Sequence, residues 1–137
     1  MAIKTPFVAV DGIVKVFSED GLFKGIVLIE RRNFPQGLAL PGGFVDIGES
    51  VEDALLREMK EEINLDVEIE RLFGVYSKPD RDPRFHTVSI IFVCKAVGSP
   101  EGKDDAKKAD IYKLEDIPFE NLVFDHREIL QDFLKKI

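Results

Sequence analysis

Residues 50–63, SVEDALLREMKEEI, limit the fold more than any other stretch of the chain. Ser50 suits a helix N-cap, with Asp53 three residues on in an approximate capping box, and Asn64 suits the left-handed stop. Steps of about 100° per residue put Val51, Ala54 and Leu55 on one side of this helix, and Glu58, Glu61 and Glu62 on the same side further on. The buried face therefore runs on into carboxylates. An acidic run is ordinarily a solvated face. Here the three acids share the apolar side, repel one another at spacings of three and four, and sit at the end where the helix dipole disfavours anions. A divalent cation resolves all three conflicts, and hard carboxylate oxygens suit Mg²⁺ or Mn²⁺, with waters and phosphate oxygens completing the shell.

Around this helix the pattern is mixed. Residues 7–17, 25–32, 67–77 and 85–97 read as strands, the third irregular near Gly74 and the last apolar on both faces, as in a sheet covered on both sides. Gly21 lies in a hairpin connection between the first two. Residues 33–49, dense in Gly and Pro, read as mostly loop; 78–84 and 98–109 read as polar loops, 110–114 as a short strand, and 124–137 as an amphipathic helix. No repeat or linker interrupts residues 1–137, which reads as one domain. Strands, then helix, then strands, then helix imply an α/β/α sandwich with a mixed central sheet.

A formal net charge of -7 argues against a nucleic-acid or membrane surface as partner. It leaves room for an anionic small molecule if metal ions or local arginines invert the field. The first residues lack the apolar core of a signal peptide, no apolar run is long enough to span a membrane, and the single Cys94 allows no internal disulfide. The expected compartment is the cytoplasm.

Gly43, Glu49, Arg57, Glu58, Met59, Glu61, Glu62 and Leu65 fit G-x5-E-x7-R-E-U-x-E-E-x-G-U, where U is aliphatic, without a gap. This resembles the Nudix box, and the strand pattern extends the resemblance to the whole chain. The one departure is Asn64 in place of Gly, a mild change at a left-handed helix stop. The resemblance implies Mg²⁺-dependent cleavage of a nucleoside diphosphate linked to another group, with more than one ion. It makes Glu58 and Glu62 the main metal ligands, and Glu61 a further ligand or a hold on one of the metal's waters. The Gly42 carbonyl becomes a backbone ligand, Arg57 the residue that orients the glutamates, and Glu49 its partner or an outer support. The family often takes its general base from a loop outside the box; Asp104 and Asp105 are available, and Asp105 falls at that acidic position. A homodimer is common among similar enzymes. Retention of every box glutamate argues against a non-catalytic sensing module.

The stretch 76–92, with Pro79 and Pro83, resembles the ADP-ribose pyrophosphatase group, which implies AMP and ribose 5-phosphate as products. No tryptophan precedes "LPGG", where relatives often carry one. Hydrolysis of nucleoside triphosphates or dinucleoside polyphosphates is the alternative within the family. Arg31, Arg32, Arg81 and Arg84 are candidate phosphate contacts, because the guanidinium fork matches phosphate oxygens. Phe34 and Phe85 are candidates to stack on adenine, against the background of 11 phenylalanines, and His86 reads as a polar residue at a loop end.

Overall fold

The computed structural model describes residues 2–137. Strand β1 (Phe7–Phe17) pairs with β2 (Phe23–Arg31) through a hairpin; short strands β3 (Leu38–Ala39) and β4 (Gly42–Phe44) precede helix α1 (Val51–Ile63). Strands β5 (Glu68–Tyr76), β6 (Thr87–Val97) and β7 (Ala106–Tyr112) follow, then two short 3₁₀ turns and helix α2 (His126–Lys135). The sheet runs β3-β2-β1-β6-β5, with β7 against β2 and β4 against β1. Only β1 and β6 among the strand pairs are parallel, so the sheet is mixed as expected.

Alternation along the strands builds two cores. Val10 and Val14 of β1, Val27 of β2 and Phe92 of β6 pack under α1 with Leu55, Met59 and Ile63. Their neighbours Ile13, Leu28, Ile91 and Val93 point to the other face and meet Ile129, Leu130 and Phe133 of α2. The period of two in the strands and the apolar stripes of the helices thus give a three-layer sandwich. Among the described residues no helix is long and apolar enough to cross a membrane.

The structure differs from the sequence expectation at element edges. The segment 33–49 contains β3 and β4, because its backbone still pairs with β2 and β1 despite the glycines and prolines. Strand β7 begins at Ala106, well inside the expected loop 98–109. It is an edge strand that turns Lys107 and Lys108 to solvent, so its composition reads as loop while its backbone pairs with β2 from Ile26 to Arg31. Strand β5 is irregular as expected, with register shifts at Ile69–Arg71 and Leu72–Gly74.

One feature of β1 creates the site. Its middle, Ala9–Asp11, pairs with β4, while its end, Lys15–Phe17, pairs with β2. Beyond the switch β2 continues alone towards β3 and β7, and a cavity opens between the diverging strands, lined by Asp11, Ile29, Arg31 and Gly42.

Helix α1 begins and ends as its caps dictate. Ser50 accepts the Asp53 backbone N–H at 3.1 Å, and Asn64 takes the left-handed conformation at φ 56°. Asn64→Gly is expected to fold at least as stably, and Asn64→Ala to lose about 1 kcal/mol by urea denaturation, since a Cβ with no compensating side chain disfavours that conformation.

Helix α2 is fastened to the sheet by His126, buried, whose Nδ1 accepts the Leu40 N–H at 2.9 Å. Burial first, then Arg81 and Arg31, push its pKa down from 6.5 to about 3, with Asp82 acting weakly the other way. The unfolded chain takes up this proton before the folded one. The associated stability is therefore complete above about pH 6.5 and is lost as pH falls towards about 3. The stability gap between wild type and His126→Gln should narrow across that window; a gap that stays constant with pH would show that His126 is not held neutral.

Candidate active site

The second half of α1 supplies the acidic side of the cavity. Arg57 gathers the carboxylates there. Its Nε and Nη2 donate to Glu49 at 2.6 and 2.8 Å, and Nη1 donates to Glu58 at 2.7 Å and Glu61 at 3.0 Å. Nη2 also reaches the Phe44 carbonyl at 3.1 Å, which ties α1 to β4. The hydrogen bonds from Arg57 hold Glu49 at about 2. Glu58 is half-buried, and burial pushes its pKa up against the pull of Arg57. A Cβ at Gly43 would fall into the Glu58 carboxylate, so the glycine is needed for close approach.

Glu62 lies deeper. It accepts the Gly42 N–H at 2.9 Å and has no cation paired with it among the described residues. Burial first, then the charges of Glu58, Asp11 and Asp105, raise it from 4.5 to about 8, against the Gly42 hydrogen bond. Asp105 is carried there by a loop pinned to the end of α1, where the Glu101 and Lys103 N–H groups donate to the Ile63 and Glu62 carbonyls, each at 2.9 Å. Its Oδ1 accepts from Asn33 at 2.7 Å.

Three arginines face these acids across a cavity of about 230 Å³. Arg81 gives Nε and Nη2 to Asp125 at 2.9 and 2.6 Å; Arg84 gives the same pair to Asp82 at 3.0 and 2.9 Å; Arg31 gives them to the Pro35 and Phe34 carbonyls. Nη1 of each has no hydrogen-bond partner among the described residues, so three guanidinium edges are held in place and left available.

Glu58, Glu62, Gly42, Gly43, Asp105, Arg31, Arg81 and Arg84 thus come together around one cavity. Arg57 and Glu49 lie behind it. Two residues expected at the site lie off the cavity lining. Glu61 stands at the edge of the arc shared by the carboxylates, so it is exposed, bonds Arg57 and does not line the cavity. Arg32 directly follows Arg31 at the strand end and points elsewhere, donating to the Asp104 carbonyl at 3.3 Å. Phe34 is exposed away from the cavity, whereas Phe85 joins Phe7 and Phe44 in a cluster at its rim. His86 bonds the Ser77 carbonyl, in keeping with a loop end.

Among the lining residues that escaped the sequence reading are Asp11, Asp82, Phe124 and His126. Asp11 left a signal, as the only charged residue between Phe7 and Val14 in an otherwise apolar strand. Burial raises it to about 6, against its bond from Ser89 and the pull of Arg81. Phe124 has φ 58°, a strained backbone for a bulky residue, and its ring lies 5.0 and 5.4 Å from the Arg31 and Arg84 guanidinium carbons.

Among the described residues no three acidic or imidazole groups converge into a ready-made metal cluster, because Glu58 turns to Arg57 and Glu62 to Gly42. The donor set nonetheless fits a hard cation. Oε2 of Glu58 and of Glu62 makes no hydrogen bond to the described residues, and Glu62 is a buried acid among acids.

The NUDIX domain model matches residues 6–133. An ADP-ribose pyrophosphatase from Methanocaldococcus jannaschii is 46% identical over 133 residues, covering 95% of this chain and 74% of that protein. A bifunctional NMN adenylyltransferase/ADP ribose pyrophosphatase from Francisella tularensis superposes with a TM-score of 0.81 at 27% identity, over 99% of this chain and 42% of that one. A mutT/nudix family protein from Listeria innocua gives 0.75 at 31% identity, over 97% and 95%. With the box residues of α1 and its loop gathered at one cavity, the chain belongs to the NUDIX domain family, as a Nudix pyrophosphohydrolase.

Proposed function

We propose that the chain hydrolyses ADP-ribose to AMP and ribose 5-phosphate, using Mg²⁺ or Mn²⁺. The observation that carries the reading is a cavity with carboxylates on one wall and three arginine Nη1 groups on the other. Such a cavity fits a diphosphate bridged to cations. The relative from Methanocaldococcus jannaschii supports ADP-ribose over other diphosphates.

Glu58 and Glu62, with the Gly42 carbonyl, are the residues that would hold the metal, and Glu61 stands beside them on Arg57. The ions, when bound, supply charge neutralisation at the phosphates and activation of water. The residues of the chain do the rest. Arg57 sets the direction of Glu58 and Glu61, with Glu49 fixing the guanidinium from the loop side. Arg31, Arg81 and Arg84 orient the diphosphate. Asp105 at the rim is the proton acceptor for the attacking water. The substrate is a small nucleotide, and the cytoplasm, where a lone buried thiol such as Cys94 stays reduced, is its compartment.

The reading is tested by product analysis with Mg²⁺ on ADP-ribose, other nucleoside diphosphate sugars, dinucleoside polyphosphates and oxidised dGTP. ADP-ribose should give the highest kcat/KM and the two stated products. Release of pyrophosphate from oxidised dGTP at a higher kcat/KM would replace the substrate while keeping the family chemistry.

Glu62→Gln should lower kcat by at least about a hundredfold, the most that loss of a mere outer-shell partner costs. Its melting temperature near pH 8 should be unchanged or higher, since the amide oxygen still accepts from Gly42 and no buried charge remains. A variant that keeps its rate would remove Glu62 from the metal site.

A further inference from the structure

The cavity has a polar corner that the diphosphate reading leaves unused, formed by Asp11 of β1 and His126 at the start of α2. Because Nδ1 of His126 accepts the Leu40 N–H, the neutral ring carries its proton on Nε2. Nε2 has no hydrogen-bond partner among the described residues, yet no fully buried side-chain nitrogen or oxygen among them lacks one. Nε2 therefore opens onto the cavity that His126 lines, as a fixed donor. Asp11 accepts from Ser89 through Oδ2, and its Oδ1 lies against Gly42, where a Cβ would overlap it. Leu40, whose N–H His126 accepts, and Gly42, which Asp11 touches, are two residues apart along the chain, which places the two groups at one end of the cavity.

This pairing selects its ligand. A phosphate offers only acceptors and would be repelled by Asp11. A sugar hydroxyl both donates and accepts, and matches an imidazole N–H beside a carboxylate. Size points the same way. At about 230 Å³ the cavity is smaller than the roughly 300–1,000 Å³ that encloses a whole drug-sized ligand, so part of the substrate stays outside. The rim that receives it is aromatic. Phe7, Phe44 and Phe85 are 54%, 36% and 38% exposed, with ring centroids 4.6–5.9 Å apart, and Arg84 lies over two of them. Ring faces of this kind stack on a base and offer nothing to a hydroxyl.

We propose that Asp11 and His126 form a hydroxyl-binding subsite for the sugar beyond the diphosphate, while the nucleobase stays outside on the Phe7–Phe44–Phe85 rim. The proposal rests on the ADP-ribose reading above and fixes the direction in which that substrate lies. His126 Nε2–H donates to one hydroxyl and Asp11 accepts from another.

The test is equilibrium binding of ribose 5-phosphate and AMP, each alone with Mg²⁺, to wild type, His126→Leu and His126→Gln, followed by NMR. His126→Leu should weaken ribose 5-phosphate about tenfold and leave AMP unchanged, the loss expected for one buried hydrogen bond. His126→Gln should restore most of the affinity, because its amide can accept from Leu40 and donate to the sugar. Should His126→Leu fail to fold, Asp11→Asn, which keeps the shape and the Ser89 bond, should weaken ribose 5-phosphate about threefold or more. Loss of AMP binding with ribose 5-phosphate unchanged would put the nucleoside in the corner and overturn the proposal. Equal losses for both ligands, or none for either, would reduce His126 to a structural role. Wild type that binds neither fragment would overturn the ADP-ribose reading itself, and the proposal with it.

Discussion

The structure turns on one guanidinium. Arg57 meets Glu49, Glu58 and Glu61 at 3.0 Å or less and caps the Phe44 carbonyl as well. Without it, the acidic end of α1 could not lie against β4, since burying unpaired carboxylates side by side is strongly unfavourable. Arg57 offers donors in a rigid fork, so it fixes direction as well as charge. Neutralisation stops short of Glu62, which is left with a backbone N–H and a high pKa. The helix is thus stable enough to fold and still short of one cation's worth of charge where the cavity begins.

The opposite wall follows a different logic. Arg81 and Arg84 are each spent on an aspartate of the chain, Asp125 and Asp82, and Arg31 on two carbonyls. These contacts hold the guanidinium groups still, so binding a phosphate costs little side-chain entropy. Phe124 separates two of them through a conformation that a phenylalanine adopts only under constraint. A chain with net charge -7 can in this way present a local field suited to an anion.

Much of this was legible in the sequence. The helix could be read because its caps, its apolar face and its misplaced carboxylates all lie within one contiguous stretch, and the Gly43 requirement is local to it. The strands β1, β2, β5 and β6 announced themselves by composition. What escaped depends on tertiary placement. Strand β7 looks like a loop because its first half, Ala106–Lys108, buries only the small Ala106 and turns two lysines outward, while its backbone pairs with β2. Arg31 and Arg32 are adjacent and chemically equal, and only the strand's alternation separates cavity from solvent. Asp11 and His126 are 115 positions apart in the chain, and no pattern relates them before β1 and α2 are brought to the same corner.

The parallel pairing of β1 with β6 joins each residue from Phe7 to Phe17 with the one eighty positions further along, from Thr87 to Val97. Closing so long a loop is entropically slow, and contacts of this separation place the chain among slower-folding topologies. Asp11 sits on one of these strands, Thr87 on the other, and Arg84 just ahead of it. During synthesis the cavity therefore does not exist until β6 has left the ribosome, and its last wall, Phe124 and His126, arrives only with the final helix. A nucleotide bound between these walls is held by β1, β6 and α2 together, so its binding free energy resists the separation of any one of them from the rest.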